Sequence, residues 1–67
     1  MFYVDVLLKD KWVAYGVPGE EPRKFFDRLE ALTFAKRLAT NYNKECRVRV
    51  NDRVQGVVKP NGDVEDA

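Results

Sequence analysis

Histidine is absent from this 67-residue chain. Imidazole general-base chemistry and a zinc site of the usual ligand set are therefore unavailable to it. Cysteine occurs once, at Cys46, which excludes an intramolecular disulfide and points to a reducing, cytoplasmic setting. Long apolar runs are missing too, so no transmembrane span and no membrane partner are expected. Asp5, Lys9 and Asp10 interrupt the stretch where the apolar core of a signal peptide would lie. Glycine is sparse and scattered (Gly16, Gly19, Gly56, Gly62), and Gly16-Val17-Pro18-Gly19 leads to no helix, so no phosphate-cradling loop is present. Charge of one sign is lacking as well. Lys and Arg number 12 against 11 Asp and Glu, and a net charge of +1 gives no global reason to seek nucleic acid.

What is present belongs to a folded domain. Apolar residues make up 45% and charged residues 34% of the chain, a globular rather than a disordered composition. A chain this short forms one domain over 1–67 and buries only about 60% of its unfolded surface. The charges are unevenly spread. Lys36, Arg37, Lys44, Arg47, Arg49 and Arg53 face only Glu45 and Asp52 between positions 36 and 53, whereas Asp63, Glu65 and Asp66 are the only charges after Pro60.

Phe2 to Lys9 alternates, with Phe2, Val4, Val6 and Leu8 on one side and Tyr3, Asp5, Leu7 and Lys9 on the other. That is the period of a half-buried strand. Trp12 to Val17 is a second β-rich run, and Asp10-Lys11 between them predicts a hairpin with Lys9 opposite Trp12, Leu8 opposite Val13, Val6 opposite Tyr15 and Val4 opposite Val17. A turn through Val17 to Pro22 delivers the chain to Arg23-Lys24-Phe25-Phe26, read as a short third strand. Asp27 followed by Glu30 resembles a capping box. A helix is predicted from Asp27 to about Asn43, with Ala31, Leu32, Phe34, Ala35, Leu38, Ala39 and Tyr42 in one arc of roughly 160°.

Cys46, Val48 and Val50 alternate with Arg47 and Arg49, and Val54 to Lys59 is the expected hairpin partner, Val50 opposite Val54 and Val48 opposite Gly56 across a three-residue loop. The ordered core is expected over about 2–59, with residues 60–67 a frayed acidic tail. The fold expected is α+β: a mainly antiparallel sheet with one amphipathic helix on one face, in the order β-β-(short β)-α-β-β.

No catalytic constellation emerges. Cys46 between apolar alternations reads as a small core residue. Asp10, Glu20, Glu21, Asp52 and Asp63 sit at predicted turns, where carboxylates are solvated. No enzyme, no metal and no cofactor are expected. The surface of interest is the face of the sheet that the helix leaves bare, where Tyr3, Leu7 and Trp12, with Val57 as a further member, lie beside Lys9, Arg47 and Arg49. Trp, Tyr and Arg are the residue types that anchor protein interfaces, which predicts an unknown protein partner or a homodimer. The same types stack bases and neutralise phosphates, which makes nucleic acid the alternative partner.

Trp12-Val13-Ala14 after a charged turn, then Phe26-Asp27-Arg28-Leu29-Glu30-Ala31-Leu32-Thr33-Phe34-Ala35-Lys36-Arg37-Leu38-Ala39, then the Val-Arg-Val strand, resembles the bacterial and phage family called domain of unknown function 2188. The resemblance spans roughly Phe2 to Val58 and implies a strand, a tryptophan-bearing strand, an Ala-rich helix and a hairpin. It suits a small accessory protein of a phage or mobile element. The central segment is also similar to the three-strand-plus-helix DNA-binding fold of plant ethylene-response factors and phage integrase arm domains. That likeness implies nucleic-acid contacts from Trp12, Arg23 and Lys24, joined by Arg47 and Arg49. Asp5 on the reading face and the additional hairpin depart from that pattern.

Overall fold

The computed structural model describes residues 1–66. Five strands form one antiparallel sheet: β1 Phe2–Leu8, β2 Lys11–Ala14, β3 Cys46–Val50, β4 Arg53–Val58 and β5 Val64–Asp66, in the order β2-β1-β3-β4-β5. The single helix α1, Arg28–Tyr42, crosses one face and packs on β1, β3 and β4. The expected α+β class, with one helix on one face of a mainly antiparallel sheet, is what the chain forms.

The helix begins and ends where its sequence says it should. Asp27 is the N-cap, with extended backbone and a side chain that accepts from the Leu29 N–H at 3.4 Å. Asn43 stops the helix in the left-handed conformation at φ 53°, and the Lys44 N–H returns to the Ala39 carbonyl. Asn tolerates this region better than most L-residues, which makes it a natural terminator. Ala31, Ala35 and Ala39 are fully buried, so the helix backbone lies close against the sheet. Val4, Cys46, Val48 and Val58 face it from β1, β3 and β4, and Phe25 closes one end of the core. Tyr42, expected on the buried arc, is 67% exposed.

Both hairpins have loops displaced from their predicted positions. In the first, Leu8 pairs with Lys11, Leu7 with Trp12 and Val6 with Val13, so the two-residue loop is Lys9-Asp10, with both residues at positive φ. Two positive φ angles match the right-handed strand twist. The shift from prediction is an even step, so every side chain keeps its predicted face. In the second, Val50 pairs with Arg53 rather than Val54 across Asn51-Asp52, while Val48 pairs with Gly56 as predicted. The register break between Val48 and Arg49 makes Gln55 an extra residue, a bulge that keeps Gly56 opposite Val48 but carries Val54 away from Val50 to the outer face, opposite Arg49.

Two segments differ from expectation. Arg23 to Phe26 is not a strand. Its one bridge to the sheet is the isolated pair Phe2 to Phe25, with Phe25 buried in the core, while the Gly16 to Pro22 bridge just before it closes the preceding turn. The tail expected to fray instead forms β5, with Val64, Glu65 and Asp66 paired to Val58, Val57 and Gly56. Asn61 shapes the turn before it, its side chain accepting from the Asp63 N–H at 2.9 Å. Ala67, the last residue of that predicted tail, lies outside the described residues.

Candidate functional site

The face opposite the helix is built by strand alternation. On β1 it receives Tyr3, Asp5 and Leu7; β3 adds Arg47 and Arg49, β2 adds Trp12, and β4 adds Val57. Register places Tyr3 opposite Arg49, Asp5 opposite Arg47 and Leu7 opposite Trp12. Five of the six residues predicted for the binding face are thus brought together. The sixth, Lys9, sits at the tip of the β1–β2 loop.

Asp5 organises the centre. It is 2% exposed, and its Oδ2 accepts from the Nε of both Arg47 and Arg49 at 2.8 Å. Each arginine then lies over an aromatic ring, Arg47 4.4 Å from the Trp12 centroid and Arg49 4.9 Å from that of Tyr3. The result is a continuous ladder, Trp12–Arg47–Asp5–Arg49–Tyr3, in which charged hydrogen bonds and cation–π stacking fix every side chain. Arg49 also donates to the Asn51 carbonyl at 2.7 Å.

A second cluster flanks the first. Lys59 lies 3.2 Å from Glu45 and 3.4 Å from Glu65, and the two carboxylates raise its ammonium above the usual lysine range. Glu65 pairs with Val57, on the same outer face. The ion-paired charges of this face therefore balance: Arg47, Arg49 and Lys59 against Asp5, Glu45 and Glu65.

Of the remaining residues proposed for nucleic acid, Lys24 lines a shallow cleft with Tyr3 and Arg49 at the far end of the face from Trp12, whereas Arg23 lies elsewhere. Arg23 lies over Phe25 and the helix residue Phe34, 5.0 and 4.9 Å from their ring centroids, beside the edge-to-face pair of Phe34 and Tyr15. Lys24 is exposed and lies 3.6 Å from Glu21. What residue-by-residue reading passed over is the role of Asp5 as the anchor of both arginines, and the Glu45–Lys59–Glu65 cluster. The alternation that put Asp5 on the outer face was a usable signal; the pairing of β1 with β3, which sets it between two arginines, was not.

Cys46 is buried on the opposite, helix-covered face. Burial, then the neighbouring Glu45 charge, pushes its thiol from an ordinary value of 9.0 up to about 11, which suits a packing residue and opposes a nucleophile. Among the described residues no group of three or more His, Cys, Asp or Glu side chains could hold a metal ion, and no helix is long and apolar enough to cross a membrane. Comparison with protein-family models, curated proteins and solved structures finds no match to this chain.

Proposed function

We propose that this chain is a non-enzymatic binding module that presents the outer face of its sheet, Tyr3, Leu7 and Trp12 with Arg47 and Arg49, to a protein partner. The observation that carries the reading is the aromatic–arginine ladder locked by Asp5 on a face that no helix or further strand among the described residues covers. Ordering a long side chain at an interface costs roughly 1 kcal/mol. Here the order exists before any partner arrives. Tyr, Trp and Arg are the usual interface anchors, and half-buried Leu7 and Val57 extend the apolar part of the patch.

Charge favours protein over nucleic acid. Phosphate binding draws on uncompensated cations, yet the paired charges of this face sum to zero and Asp5 already takes both arginine Nε donors. The resemblance of residues 2–58 to domain of unknown function 2188 would suit a small interaction domain of this kind.

The test is affinity capture from the source cell, identification of the captured protein, and calorimetry of that protein against the wild-type and Trp12→Ala chains. Loss of this large aromatic anchor should weaken binding by at least about tenfold. Duplex and single-stranded DNA at low salt should show no binding. A DNA affinity that falls steeply with salt and collapses on combining Arg47→Ala with Arg49→Ala would overturn the protein reading.

A further inference from the structure

The helix covers β1, β3 and β4 but does not reach β2. On the helix side β2 is thus left with an open apolar groove, formed by Val6, Leu8, Val13, Tyr15, Leu38 and Tyr42. Val13 is 46%, Leu8 41% and Tyr42 67% exposed. β2 is also an edge of the sheet. The Tyr15 N–H bonds to the Val4 carbonyl, so alternate residues Lys11 and Val13 also turn their backbone groups toward β1. Trp12 and Ala14 turn theirs outward. These two N–H and two C=O groups have no backbone partner among the described residues.

We propose that this edge and groove are occupied by a second copy of the same chain, with β2 pairing antiparallel to β2 about a two-fold axis at Val13. Within β2 this register uses all the outward backbone groups: Trp12 of each copy exchanges both hydrogen bonds with Ala14 of the other. Val13 then faces Val13 as a close, non-hydrogen-bonded pair on the helix side. Lys11 falls opposite Tyr15, and Asp10 opposite Gly16, so no like charges meet across the seam. A two-fold axis perpendicular to the sheet keeps both helices on one side, which closes each apolar groove against the other. It also joins the two outer faces into one surface.

The opposite edge argues for the same choice. β5 carries Glu65 and Asp66 in its three residues, and a second copy pairing there would bring carboxylates together. β2 carries one charge, Lys11, at its start. From Trp12 to Ala14 the edge is uncharged, and exposed edges without charge are the ones that recruit another strand.

The experiment is sedimentation equilibrium on the whole chain across a range of concentrations, with far-UV circular dichroism to establish that each variant is folded. The wild type should approach twice its 7.8 kDa monomer mass. Val13→Lys and Val13→Glu should each remain monomeric, with association weakened at least about tenfold by like charges at the axis. An equimolar mixture of the two variants should regain the dimer mass, since lysine then meets glutamate. A wild type that stays monomeric at high concentration would sink the proposal, as would a dimer that tolerates Val13→Lys or a mixture that stays monomeric. Val13 points away from the outer face, so these variants leave the partner-binding reading to be judged by Trp12→Ala.

Discussion

Burying a carboxylate costs several kcal/mol unless charged hydrogen bonds replace its water, and Asp5 obtains that replacement from Arg47 and Arg49. Removing the carboxylate leaves two arginines, each about a quarter or less exposed, two residues apart on one face of β3 with no counter-charge between them. Asp5→Ala should therefore lower stability by about 3 kcal/mol in urea unfolding. It should also release Trp12 from its stack, readable as a change in tryptophan fluorescence of the folded protein. A loss below about 1 kcal/mol would mean that the ladder is held by stacking alone. Cys46 supports a second prediction at this scale. Its folded value is raised from 9.0 to about 11, so the folded chain holds a proton that the unfolded chain releases within that window. The contribution is complete below about pH 9 and is lost as pH rises toward about 11. Melting temperature should fall across that range, and Cys46→Ala should flatten that part of the pH profile.

Elements formed where local chemistry and periodicity agreed. The helix was legible because Asp27, the Ala31-Ala35-Ala39 spacing and Asn43 each state one thing, a cap, a close-packed stripe and a left-handed stop. Asp27→Ala should cost about 1 kcal/mol, the ordinary worth of an N-cap. The loops were less legible, because Asp10-Lys11 and Lys9-Asp10 both satisfy the alternation, and only the requirement for two positive φ angles separates them. β5 was not legible at all. Three residues, two of them acidic, carry no strand signal of their own, and their pairing depends on the free edge of β4 and the turn shaped by Asn61. The segment after β2 depends on Gly16, where an added Cβ would stand 3.0 Å from the Pro22 Cα and 3.3 Å from the Glu21 carbonyl oxygen. Both are backbone atoms. Gly16→Ala should force the returning loop outward, with a stability loss of about 1–2 kcal/mol in the same unfolding assay.

At the scale of the molecule, one helix is too narrow for five strands. Fifteen residues give a rod about 22 Å long and about 10 Å wide, while strands lie about 4.8 Å apart. Such a rod covers the middle of this sheet and leaves an apolar groove beside β2. No helix of the described residues covers the other face, and its character is set by the balance of its paired charges rather than by the six-to-two basic excess between positions 36 and 53. That excess is dispersed in space: Lys36 and Arg37 lie on the helix, whereas Arg47 and Arg49 point to the opposite side of the sheet and share Asp5. The balance can be broken deliberately. Combining Glu45→Gln with Glu65→Gln removes both partners of Lys59, at 3.2 and 3.4 Å, and takes the sum of the face's paired charges from zero to +2. The double variant should then acquire a weak affinity for duplex DNA that decays with salt, with a logarithmic slope of up to about two. The wild type should show none at the same ionic strength. Equal DNA binding by both would mean that phosphate recognition arises elsewhere, or that Arg47 and Arg49 leave Asp5 for a phosphate, and the charge-balance argument against a nucleic-acid partner would fall with it.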